Sequence, residues 1–209
     1  SQSHHVWISG VAGIGKSKLV DVFLCHEFSP PHNNAPFICR GTFDENKITN
    51  ASNPYQGITS CFVDLFEHIM DEKNGTDAGI SLMQSLQRCF SDDDVDIVTT
   101  LSLLIPNVVV LLPVEAQECS NDEVTKKYSF DKNDRFLPER LSNALARILK
   151  SVCVDFPVIF SLDDIHNADE ESLQLLSNIL SSTQNLNNFF FIGSHRVVKV
   201  TQTLPKMKV

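Results

Sequence analysis

No apolar run in the 209 residues approaches the roughly 20 that a membrane-spanning helix needs; stretches such as Val108 to Leu112 are far shorter. No C-x-x-C pair occurs among the six cysteines, at 25, 39, 61, 89, 119 and 153, and none of the seven histidines falls in an H-E-x-x-H pattern. That leaves no zinc-type ligand spacing. The thiols read as reduced, mostly buried groups of an intracellular, cytoplasmic protein. Positive charge is scarce: 17 Lys and Arg face 26 Asp and Glu, for a net charge of −9 and a sequence pI near 5.1. This balance argues against a general nucleic-acid clamp, which carries a basic face or stripe. The chain opens at Ser1 instead of Met and meets its first motif within ten residues. It reads as a piece of a longer protein, so a missing leader excludes nothing.

With 42% hydrophobic and 21% charged residues, the chain has the make-up of a globular protein long enough for one α/β core with a helical insert. Its organising stretch is Gly10-Val11-Ala12-Gly13-Ile14-Gly15-Lys16-Ser17. A short apolar run, His5 to Ser9, precedes it, and the apolar segment Leu19 to Phe28 follows. Strand, glycine-rich turn and Lys-Ser at a helix start form the context of a phosphate-binding loop, a Walker A element. The glycines let the backbone curl around an anion while the first helical N–H groups point at the phosphates. Lys16 is placed to reach the β- and γ-phosphates, and the Ser17 hydroxyl to hold Mg²⁺. The nucleotide-contacting set is then Gly10, Val11, Ala12, Gly13, Ile14, Gly15, Lys16, Ser17 and Lys18. A glycine-rich turn with no ligand is the bland alternative, and the flanking pattern weighs against it.

Residues 4–9 read as a first strand, fully buried because its apolar residues do not alternate cleanly. A helix is expected from about Lys16 to Phe28, ended by Pro30 and Pro31, and Pro36 to Arg40 reads as a second strand. Phe43 to Asn53 is polar and turn-rich. Pro54 fits the first turn of a helix reaching about Met70, with Ile58, Cys61, Phe62, Leu65, Phe66 and Ile69 at helical spacing and Asn74-Gly75 as its break. Ile80 to Phe90 reads as another helix. Ser91 and three aspartates read as the cap and acidic first turn of one reaching Ile105. Val108 to Leu112 fits either a helical turn or a short strand. From Cys89 to Thr125 there is no Lys or Arg but eight acids. A solvated face is the preferred reading, an acidic docking surface for a basic partner the alternative. Glu115 to Asn133 is expected to be a mobile loop, and Arg135 to about Val152 a helix. Residues 54–152 are thus a mostly helical segment within a single domain spanning 1–209.

Pro157-Val158-Ile159-Phe160-Ser161-Leu162-Asp163-Asp164 is a continuous apolar strand ending in two carboxylates, the look of a Walker B element. In a parallel sheet buried on both faces, those acids emerge at the C-terminal end, where ligands bind in open α/β sheets. Asp163 would hold Mg²⁺ through its water shell, and Asp164 would orient or deprotonate the attacking water. An Asp reaches less far than the Glu of many hydrolytic relatives, so slow or regulated turnover is expected. Asn188 to Ile192 reads as a fourth strand, Phe-rich and buried, that delivers Gly193-Ser194-His195-Arg196 to the same edge. There Arg196 either senses the γ-phosphate or pairs with a nearby acid. His166 and His195 read as structural or solvent-facing, and Thr203 to Val209 as the start of a further strand.

Three separated blocks resemble the STAND-type AAA+ ATPases, signalling NTPases related to origin-recognition-complex-like AAA ATPase domains. They are Gly10 to Ser17, Leu162-Asp163-Asp164-Ile165-His166-Asn167-Ala168-Asp169 and Phe191-Ile192-Gly193-Ser194-His195-Arg196. Gly41-Thr42-Phe43-Asp44 and Asn53-Pro54-Tyr55 resemble the family's segment after the second strand. Asn167 stands where the family commonly has Trp, and the family's C-terminal lid and second sensor arginine have no counterpart here. The resemblance implies an α/β, three-layer P-loop NTPase fold of the ASCE/AAA+ type. Its parallel sheet would run in the order 2-3-4-1, with a truncated fifth strand and a helical insert between strands 2 and 3. It places Lys16, Asp163, Asp164 and Arg196 in catalytic roles and Ser17 and Asp163 at the metal, with ATP and Mg²⁺ as cofactors. The implied partners are ATP/ADP and other domains of a longer chain, such as kinase, cyclase or repeat modules, with a homo-oligomer left open. The implied function is a regulatory switch with slow hydrolysis. A DNA-associated replication-initiator-like module and a nucleotide-binding scaffold without turnover are the alternatives.

Overall fold

The computed structural model describes residues 4–28, 35–44, 55–90, 94–111 and 137–197. Strand β1 (His4–Gly10) leads into helix α1 (Lys16–Glu27), and β2 (Phe37–Thr42) follows. Helices α2 (Gln56–Gly75), α3 (Asp77–Cys89) and α4 (Val95–Leu104), a 3-10 helix at Pro106–Leu111 and helix α5 (Leu137–Val152) come next. The chain then returns as β3 (Val158–Asp163), a 3-10 turn at Ile165–Asn167, α6 (Glu170–Ser182) and β4 (Phe189–Arg196). All strand pairings are parallel, and the four strands lie in the order β2-β3-β4-β1. This is an α/β architecture with a parallel sheet. Among the described residues no helix is long and apolar enough to cross a membrane.

Period-two alternation decides which side chain meets which layer. On β3 and β4, Val158, Phe160, Leu162, Phe189 and Phe191 turn to one face, where they join the large core under the helices that follow β2. The α2 stripe Ile58, Cys61, Phe62, Leu65, Phe66 and Ile69 is at most 1% exposed, as its helical spacing predicts, and Phe62 meets Phe160 edge-on with centroids 5.1 Å apart. Burying a side chain of this size stabilises by about 1.5–3 kcal/mol. The opposite face is thinner. There Ile159 and Ile192 pack with Val20 and Leu24 of α1.

Helix α2 lies so close on β2 that a Cβ at Gly41 would sit 1.9 Å from the Gly57 carbonyl oxygen, so only glycine fits there. The helix also closes the outer edge of β2. The Arg40 N–H donates to Asp64 at 2.7 Å, and His68 Nε2 lies 3.2 Å from the Ile38 carbonyl. Edge groups satisfied in this way cannot recruit another strand.

Several elements differ from expectation. β1 is not fully buried: every one of its residues is exposed or half-buried, with Val6 at 41% and Trp7 at 38%. The reason is position. Among the described residues β1 pairs only with β4, so it is an edge strand, and α1 shields it little. α2 runs on through Asn74-Gly75, because a glycine costs only about 1 kcal/mol in a helix and least at its last turn. The break comes at Thr76, whose extended backbone and hydroxyl cap α3 through the Gly79 N–H at 3.0 Å. α4 starts at Val95, and Asp94 at its cap position makes no side-chain cap but takes a bidentate pair from Arg147 at 2.9 and 3.1 Å. Of the two readings left open for Val108 to Leu112, the helical turn holds: residues 108–111 belong to the 3-10 helix Pro106–Leu111. Leu19 and Phe23 of α1 are exposed, at 59% and 40%. The expected Pro54 helix start, Ser91 cap, 115–133 loop and Thr203–Val209 strand lie outside the described residues, as does Cys119.

Candidate functional site

The glycine-rich loop joins the C-terminal end of β1 to α1. Gly13 and Gly15 have φ of +74° and +99°, backbone that residues with a Cβ adopt only under strain. These two positive angles turn the loop back over the helix start. Gly15 occupies the cap position of α1 without a side-chain cap, and no acid falls in the first turn. The leading N–H groups of a helix have no partner within it, so here they are left facing the loop. Lys16 is buried to 9% exposure, and its Nζ donates to the Gly10 and Val11 carbonyls, both at 3.2 Å. Its ammonium therefore sits within the loop it follows.

The second contribution comes from β3, whose odd-numbered residues 159, 161 and 163 face α1. Asp163, the last residue of the strand, receives the Ser17 hydroxyl on Oδ2 at 2.5 Å. Oδ1 accepts from the Ser194 hydroxyl and from the Asp164 N–H at 2.9 Å. Burial pushes the Asp163 carboxyl up. The hydrogen bonds from Ser17, Ser194 and the Asp164 N–H, together with the Lys16 charge, outweigh that and hold it below the ordinary carboxylate value. The group is ionised at neutral pH.

Asp164 adopts left-handed backbone, φ +53°, uncommon for a residue with a Cβ and tolerated best by Asn and Asp. Its Oδ1 lies 3.7 Å from Arg196 Nε and equally far from His166 Nδ1. His166 is largely buried, and its Nδ1 accepts the Arg196 N–H at 3.4 Å, which assigns that nitrogen no proton. His166 is thus a structural neighbour of the acid, while His195 stays half-exposed. β4 runs to Arg196, beyond the expected Ile192, so Ser194 and Arg196 are strand residues and not loop residues.

The loop, Asp164 and Arg196 enclose a cleft of about 220 Å³ lined by Ala12, Gly13, Gly15, Lys16, Ser17 and Lys18. A wider cleft of about 520 Å³ adjoins it past Asp164 and Arg196, toward Arg40, Asp44, Gln56 and Asn167. Asn167 donates to the Phe43 carbonyl at 3.1 Å and ties the turn after β3 to the end of β2. The structure therefore brings Lys16, Ser17 and Lys18 together with Asp163, Asp164 and Arg196. Val11 and Ile14 stand exposed on the loop.

The residues suit a magnesium nucleotide. Mg²⁺ keeps several waters and is held by one or two carboxylates plus phosphates, and one ionised carboxylate beside a serine hydroxyl meets that need. Among the described residues no group of three or more His, Cys, Asp or Glu could hold a metal ion on its own. Cys39, Cys61 and Cys153 are buried, and burial raises all three, Cys153 to about 12.

Two contributors were not singled out from sequence. Ser194 stands in the block after the expected strand end at Ile192, and Asn167 in a polar turn, with nothing local to tell either from its neighbours. Alternation along β4 places Ser194 on the face of Arg196, but only the pairing register shows that it meets Asp163.

No curated protein was found to match the chain. The family model described as AAA ATPase domain matches residues 1–192, and membership brings ATP binding and hydrolysis as the family's activity. A glycine loop and an acid-tipped parallel strand meeting at one sheet edge agree with that match: this chain belongs to the AAA ATPase domain family.

Proposed function

We propose that the chain is a Mg²⁺-dependent ATPase domain of a regulatory, STAND-type protein, with slow turnover. The observation that supports this is the Ser17–Asp163 hydrogen bond, which brings the glycine loop and the acid-tipped strand, 146 residues apart, together where a metal ion would be held. Gly10 to Lys18 would cradle the phosphates through backbone N–H groups, and Lys16 would leave its loop carbonyls for the β- and γ-phosphates. Ser17 and Asp163 would hold Mg²⁺, which would supply positive charge against the charge that develops on the phosphates. Asp164 would orient water and accept its proton, and Arg196 would take the γ-phosphate. Asp164 and Arg196 face each other at 3.7 Å. Each would exchange this contact for water or phosphate when it acts, in keeping with the slow hydrolysis proposed.

We read the four-stranded sheet, in the order β2-β3-β4-β1, as the ASCE/AAA+ arrangement with a truncated fifth strand. We read 1–209 as one ATPase domain with a helical insert over 54–152. It would answer to other domains of a longer chain, in the cytoplasm. The test is fluorescent-ATP binding by the wild type and Lys16→Ala with Mg²⁺ present. Loss of charge-assisted contacts worth about 1.5–3 kcal/mol should weaken binding roughly 10- to 100-fold. Equal affinity in the two proteins would overturn the proposal.

A further inference from the structure

Asp163 is held from two sides. On β4, residues 190, 192, 194 and 196 share the sheet face that α1 covers, and Ser194 lies one step past the last paired positions, Leu162 and Gly193. Ser194 is 2% exposed. Its hydroxyl donates to Asp163 Oδ1, which also takes the Asp164 N–H, while Ser17 of α1 reaches Oδ2. The two oxygens of one carboxylate therefore have different partners. Oδ1 is tied down by the sheet, and Oδ2 is turned toward the helix that carries the loop. A carboxylate fixed at one oxygen presents the other in a single orientation. Supporting partners of this kind are worth about 10- to 100-fold in metal affinity.

We propose that Ser194 is a positioning residue for Asp163, setting the affinity of the site for Mg²⁺ and linking it to β4, the strand that also carries Arg196. This rests on the Mg²⁺·ATP reading given above. Ser194 touches neither nucleotide nor metal in this account and acts only through the orientation of Asp163. A buried serine that merely filled the sheet would leave the metal response unchanged when replaced.

The test titrates Mg²⁺ into the 209-residue chain holding a fluorescent ATP analogue. Ser194→Ala should raise the Mg²⁺ needed for a half-maximal response about tenfold or more, and leave metal-free nucleotide affinity within about twofold. Ser194→Thr keeps the donor hydroxyl, at a position that lines the adjoining cleft of about 200 Å³. It should return the response to within about threefold of wild type. An unchanged Mg²⁺ response in Ser194→Ala overturns the assignment. So does a parallel loss of metal-free binding, which would make Ser194 a general support of the sheet, and so does a Thr variant as impaired as Ala. A wild-type chain that binds no nucleotide, or binds it with no response to Mg²⁺, overturns instead the reading beneath.

Discussion

Helices α1 and α6 both follow strands of one parallel sheet and both start at its carboxyl edge, yet their first turns are built oppositely. α6 is closed. Asp169 caps it, accepting the Ser172 N–H at 2.7 Å and the Ser172 hydroxyl at 2.9 Å, and Glu170 and Glu171 fill the first turn. α1 has a left-handed glycine in place of the cap, no acid in its first turn, and lysines at 16 and 18. Both helices carry the partial positive charge of their dipole at this end. α6 neutralises it with its own side chains, whereas α1 leaves it for a ligand. Local stability is given up where binding is needed, the usual pattern at sites that break a local folding rule.

Substitutions that exchange the two designs test this contrast. Gly15→Ala forces a Cβ into φ +99° and should cost about 1–3 kcal/mol of stability. It should also abolish measurable nucleotide binding, because the loop can no longer turn back over the helix. Denaturant unfolding and ATP-analogue binding on the same sample check both halves. Asp169→Ala removes the α6 cap and should cost about 1 kcal/mol with nucleotide affinity unaltered. A drop in affinity would mean that the two helix starts are coupled. Smallest is Lys18→Glu, which gives exposed α1 an acid like those of α6. Without ligand the chain should gain about 0.3–1 kcal/mol, while binding weakens. Gain in both stability and affinity would refute the idea that α1 is kept open for an anion.

The same contrast bears on what could be read from sequence. The glycine loop, the acid-tipped strand and the helical stripe of α2 are local patterns, and their period and turn chemistry announce them. Neighbours are not local. Whether β1 is buried depends on what pairs with its outer edge, which no residue of β1 encodes, and the expectation of full burial failed there. That Asp164 faces Arg196, and that Ser194 meets Asp163, follows from the register of β4 against β3. An apolar run such as Phe189 to Ile192 leaves that register unstated. Asp94 shows the same limit: it reads as part of an acidic first turn, and it is claimed by Arg147 from α5.

The central claim is that the end of β3 and the loop before α1 form one metal–nucleotide site. Asp163→Asn tests it most directly, in single-turnover ATP hydrolysis with nucleotide affinity measured in parallel. Asn keeps the size and can still meet Ser17, but it lacks the charge that holds Mg²⁺. Mg²⁺-dependent turnover should fall about 100-fold or more, while nucleotide affinity stays within about tenfold. Unchanged turnover would contradict the account, because the strand ending at Asp163 would then not be the metal-binding half of the site.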